Sequence, residues 1–142
     1  VAVSKKSDVS EQSELDYSHS ELSGADGIEL GQKLTEYGPL EKLKHLYLER
    51  NMLSDDGVST LAGALSHRNT PKLNRLILRN NRIGSAGVIA LTDGWGGADE
   101  SKAERSRSPH LGILDLEDNW IGDEGALALY AAVESGGLFC NE

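Results

Sequence analysis

The sequence predicts an α/β solenoid: about four strand–turn–helix units stacked side by side, with one parallel sheet and one layer of helices. Three observations predict it. A frame of leucines and one asparagine occurs at Leu43, Leu46, Leu48, Asn51 and Leu53; it recurs at Leu73, Leu76, Leu78, Asn81 and Ile83, and at Leu111, Leu114, Leu116, Asn119 and Ile121. Each copy runs on at fixed offsets through Gly57, Leu61 and Leu65, through Gly87, Leu91 and Trp95, and through Gly125, Leu129 and Val133. Within every copy the apolar spacing changes from two to four, which marks a strand followed by a helix.

The elements follow in order. A weaker first copy holds Leu15, Tyr17, Ser20, Leu22, Asp26, Leu30 and Leu34, with Ser20 in place of the asparagine and Asp26 in place of the glycine. The second leucine of each copy falls at 15, 46, 76 and 114, so the steps are 31, 30 and 38 residues. Strands joined by helical crossovers run parallel. Asp55, Ser85 and Asp123 stand at the head of the helical stretches and suit the N-cap position. Asn51, Asn81 and Asn119 stand where the chain leaves each strand. An asparagine side chain both donates and accepts, so a ladder of them satisfies the buried turn backbone. One copy buries too little apolar surface to offset the entropy of ordering it, so the copies must share a core.

This frame resembles the leucine-rich repeat family, in the ribonuclease-inhibitor-like subclass with long repeats and full helices. The resemblance covers residues 12–135. It implies a short right-handed α/β horseshoe arc, its parallel sheet on the concave side and its helices outside. It places repeats at about 12–42, 43–72, 73–110 and 111–135, after a flexible lead-in at 1–11. Residues 136–142 are expected to be a C-terminal cap or a truncated fifth strand, through Leu138 and Phe139. The extra length of the third repeat falls in a loop at 96–109, rich in Gly, Ser and charge, which a stack absorbs at small entropic cost. Trp95 is expected in the core, in register with Leu34 and Leu65. Ser106 and Ser108, among arginines in that loop, are candidate phosphorylation sites.

Composition narrows the function. The formal charge is −9 and the aromatic content 5%, which oppose nucleic-acid binding by a basic stripe or by base stacking. A single cysteine excludes an internal disulfide and favours a reducing, cytoplasmic compartment. No apolar stretch approaches the length of a membrane span. No P-loop lysine follows the glycines near Gly94–Gly97, and the four histidines lack metal-ligand spacing. The acidic run from Asp115 to Glu124 does not follow a calcium loop. No local nucleophile motif is present. Neither catalysis nor a cofactor is expected.

The expected function is protein binding through the concave sheet. Alternation along the strands turns the residues between the leucines outward. The candidate partner-binding residues are Tyr47, Glu49, Arg50, Arg75, Ile77, Arg79, Asp115, Glu117 and Trp120. Aromatic, aliphatic and arginine side chains of this kind anchor interfaces. The arginines of the third copy stand beside the acids of the fourth, so they either pair across the sheet or offer a split face to a mixed-charge protein partner. The resemblance leaves two alternatives. One is a regulator of an enzyme, such as a GTPase-activating protein of the Ran type. The other is a structural spacer in a cytoskeletal or ciliary assembly. The chain is expected to be monomeric or part of a larger chain or assembly.

Overall fold

The computed structural model describes residues 9–66, 68–94 and 111–134. Trp95, the loop 96–109 with Ser106 and Ser108, and the segment 136–142 lie outside the described residues, as do residues 1–8, His67 and His110. Strands and helices alternate: β1 Glu14–Asp16, α1 Gly24–Tyr37, β2 His45–Tyr47, α2 Ser54–Ala64, β3 Arg75–Ile77, α3 Ser85–Gly94, β4 Ile113–Asp115 and α4 Asp123–Glu134. The sheet runs β1-β2-β3-β4, all parallel, in sequential order. Chain order equals spatial order because each helix returns the chain to the same edge, one strand further on.

The leucine frame forms the core. Leu15, Leu46 and Leu76 align across the first three strands and are buried, and Leu114 of β4 is in register with them. Leu30 and Leu34 of α1 and Leu61 of α2 close over the sheet from the helix layer, as does Leu91 of α3. Helix packing depends on glycine, most plainly at Gly27. A Cβ on Gly27 would stand 2.9 Å from the Gly57 Cα of the next helix. The absence of a side chain there is what lets α1 and α2 approach.

The three asparagines bridge successive repeats. Asn51 accepts from the Ser20 and Leu22 amides at 3.1 and 3.0 Å, and its amide group donates to the carbonyls of Tyr17 and Leu48. Asn81 donates to Leu48 and Leu78 at 2.8 and 3.1 Å and accepts from Leu53. Asn119 accepts from Asn81 and Ile83 and donates to Leu78 and Leu116. Each side chain therefore closes its own turn and the turn of the preceding repeat. The residue before each asparagine, and before Ser20 at the same offset of the first repeat, has a left-handed φ: His19, Arg50, Asn80 and Asp118 all lie between 54° and 56°. Asn and Asp tolerate that region, whereas an arginine is strained there by about 1–2 kcal/mol. Arg50 is thus a turn residue as well as a surface one.

The helix starts correct one expectation. Asp55 and Ser85 do not cap their own helices: α2 follows Leu53, which offers no side-chain cap. Asp55 instead accepts the Gly84 and Gly87 amides of the next helix start, at 2.7 and 2.9 Å. Ser85 does the same for Gly122 and Gly125, both at 3.1 Å. The stagger of the stack places the first turn of one helix against the start of the next, so a residue one position inside the helix serves its neighbour. The first helix differs. Ser23 and Asp26 form a reciprocal capping box within one repeat, and the Ser23 hydrogen bonds hold the Asp26 carboxyl below its ordinary pKa. Asp55→Ala is expected to cost about 1–2 kcal/mol and to speed amide exchange at Gly84 and Gly87. Exchange monitored by NMR checks it. Unchanged rates at both glycines would contradict the cap.

Candidate functional site

The strand residues between the core leucines form the exposed face of the sheet. The register sets them in columns: Glu14, His45, Arg75 and Ile113 in one row, and Asp16, Tyr47, Ile77 and Asp115 in the next. These are three-residue strands, so the residues beyond them, Glu49, Arg79 and Glu117, sit where the chain has begun to turn.

The charges divide into paired and unpaired groups. Arg79 reaches both acids of the neighbouring repeat, with Glu117 at 2.8 Å and Asp118 at 3.1 Å. The bond to Asp118 raises the Arg79 pKa above its ordinary value, and Glu117 adds to the effect. His45 lies 3.3 Å from Glu14, and His19 lies 3.5 Å from Glu49. Such exposed pairs each contribute only about 0–1 kcal/mol, and the two histidine pairs are ion pairs only when the ring is protonated. Asp16 and Asp115 each accept the amide two residues on, from Ser18 and Glu117, both at 2.9 Å. The Ser18 amide holds the Asp16 carboxyl below the ordinary range. These two carboxylates close strand ends, a role the sequence reading did not assign.

Arg75 is different. Its Nε is buried and has no hydrogen-bond partner among the described residues, and a terminal nitrogen makes a long 3.4 Å bond to the Tyr47 hydroxyl. Tyr47 is held edge-on against His45, with ring centroids 6.2 Å apart. Ile77 lies beside Tyr47 in the register, and Ile113 lies beside Arg75 with 41% of its surface exposed. The sheet thus brings Tyr47, Arg75, Ile77 and Ile113 together as an apolar patch around one uncommitted guanidinium. Column alternation places Ile113 on this face, but it is not among the partner-binding candidates named from the sequence. Trp120 is 70% exposed, but on the turn beyond the sheet, in line with Met52 and Arg82. Among the described residues, no group of three His, Cys, Asp or Glu side chains could hold a metal ion, and no helix is long and apolar enough to cross a membrane.

Four parallel strands alternating with four helices give the fold of an α/β leucine-rich-repeat solenoid. A family model described as Leucine Rich repeat matches it at residues 40–62, 70–91 and 107–129. No curated protein matches the chain. Among solved structures it is similar to Leiomodin-1 Actin-Binding Site 2, with a TM-score of 0.55 and 14% identity over 91% of this chain and 81% of that one. At that identity the likeness concerns the fold.

Proposed function

We propose that this protein is a protein–protein interaction module whose partner docks on the exposed sheet face. The observation that carries the reading is the Tyr47, Arg75, Ile77 and Ile113 patch, where a buried guanidinium nitrogen, unpartnered among the described residues, sits beside apolar side chains. An unmet buried donor costs about 1–3 kcal/mol, so a partner carboxylate that draws the half-buried Arg75 guanidinium outward gains a charge-assisted bond and relieves that cost. Acidic residues flank the patch on β1 and β4, which suits a segment with one acidic group at its centre and basic groups on either side. That pattern also fits the net charge of −9, which favours basic partners at long range.

Arg79, Glu117 and Asp115 are then frame rather than anchor. Glu49 and Arg50 border the face, and Trp120 extends it along the turn. The long helices and repeat steps support placement in the ribonuclease-inhibitor-like subclass. The single cysteine supports a reducing, cytoplasmic setting. The similar structure is an actin-binding site of leiomodin-1, which is consistent with a fold of this kind carrying a protein-binding surface.

The test is a triple variant, Tyr47→Ala, Arg75→Ala and Ile77→Ala, measured for affinity against the partner that the wild-type chain binds. A loss of about 100-fold or more is expected, since interface anchors of these types cost about 2 kcal/mol or more when truncated. Circular dichroism and a thermal melt establish that the variant is folded. A folded triple variant with wild-type affinity would move the site away from the sheet.

A further inference from the structure

The turns that follow the strands carry a second exposed row, away from the face of the sheet. Met52, Arg82 and Trp120 stand at one offset in the second, third and fourth repeats. Backbone bonds set these turns side by side: the Ser54 amide donates to the Asn81 carbonyl at 3.0 Å, and the Trp120 amide to the Ile83 carbonyl at 2.8 Å. Met52 is 38% exposed, Trp120 is 70% exposed, and Arg82 between them is exposed as well. Met52 and Trp120 are two repeats apart, about 10 Å at the usual strand spacing.

Two features single out Arg82. The first is its freedom: no carboxylate among the described residues pairs with it. Two neighbouring acids are committed elsewhere, Asp118 to Arg79 and Asp55 to the Gly84 and Gly87 amides. The first turn of α3 carries no acid. The second feature is the backbone: Arg82 is left-handed, with φ 59°. Glu21 shares that conformation in the first repeat, so the turn belongs to the fold. Asparagine or glycine would occupy it at lower cost. An arginine there gives up stability to hold a guanidinium in the open.

We propose that this rim binds a short acidic segment of a partner protein, in which one Glu or Asp side chain meets Arg82 and apolar side chains on either side cover Met52 and Trp120. Arginine and tryptophan are enriched among interface anchors, and a guanidinium takes a carboxylate by two parallel bonds. The span admits about three residues of extended chain, so the motif is apolar, acidic and apolar in close succession. Arg50, exposed and without an ion pair among the described residues, adds a second positive charge two residues before Met52. The inference does not rest on the partner-binding role of the sheet face.

The probe is a set of synthetic nine-residue peptides with a central glutamate between leucine or phenylalanine residues at varied spacing, each with a central-glutamine counterpart. The full chain should hold the best glutamate peptide about tenfold or more tighter than its counterpart. Arg82→Asn should abolish that preference while its thermal midpoint stays unchanged or rises by up to roughly 4 °C, since asparagine accepts the left-handed turn. Trp120→Ala should weaken both peptides by about tenfold. The Tyr47→Ala, Arg75→Ala, Ile77→Ala variant should keep the preference. Absence of a preference in the wild-type chain would overturn the proposal, as would a preference that survives Arg82→Asn. Two other occupants are also tested. A dimer in sedimentation that Trp120→Ala dissociates would assign the rim to a second copy. Radical footprinting of the free monomer with Trp120 protected until Leu138→Ser and Phe139→Ser expose it would assign the rim to the chain's own C-terminal segment. Either result overturns the proposal.

Discussion

Replacing Asn81 with alanine is expected to lower the unfolding free energy by about 3–5 kcal/mol, the largest stability loss of any single polar substitution in this chain. Asn81 is fully buried. Its amide group donates to three carbonyls, those of Leu48, Leu78 and Arg79, and its oxygen accepts from the Leu53 amide. Alanine removes all four bonds and leaves backbone groups of two repeats facing each other without water. Each such group costs about 1–3 kcal/mol, and partial relaxation of the turns keeps the sum below the simple total. The effect should pass through both neighbours, because a solenoid holds only by contacts between adjacent repeats. Asn119→Ala should cost less, since its side chain is only partly buried and no repeat follows it among the described residues. Urea unfolding followed by circular dichroism measures both. A loss under about 1 kcal/mol for Asn81→Ala would mean that the bonds to Leu48 and Leu53 contribute nothing net.

Gly27→Val should cost about 3 kcal/mol, chiefly by separating α1 from α2. The added Cβ would lie 2.9 Å from the Gly57 Cα and 2.9 Å from a Leu53 methyl. The leucine can move, but the backbone of α2 cannot move without shifting the repeat. Overpacking of this kind costs about 1–3 kcal/mol, at the upper end where backbone is the obstacle. The gain in helix propensity on replacing glycine offsets well under 1 kcal/mol of that. Gly63→Val is the comparison, because nothing lies within 4 Å of a Cβ there. Thermal unfolding should show a clear loss for the first and little change for the second. Equal effects would contradict the close-packing account.

The leucines and asparagines state the fold openly because their roles are local. Leu46 and Leu48 face the core whatever lies beside them, and Asn51 closes a turn three residues from Leu48. Asp55 shows where such reading stops. By position it suits its own helix, yet its carboxylate serves Gly84, in the next repeat. Only the stagger between repeats decides that, and no residue type encodes the stagger. The sheet face divides in the same way. Arg79 and Glu117 could be matched by register alone, but the sequence does not reveal that Arg79 takes two acids while Arg75 keeps an unpartnered nitrogen. The exposed apolar side chains of α4 were equally hidden, because their burial depends on a neighbour and not on their own pattern.

The central claim is that a protein partner docks on the sheet face around Arg75. Hydroxyl-radical footprinting of the wild-type chain, free and bound to its partner, tests this directly. Tyr47, Ile77 and Ile113 should become strongly protected on binding, while Leu127, 67% exposed on the helix layer, should react as before. Protection confined to Leu127 and Tyr130, with Tyr47 and Ile77 unchanged, would contradict the account.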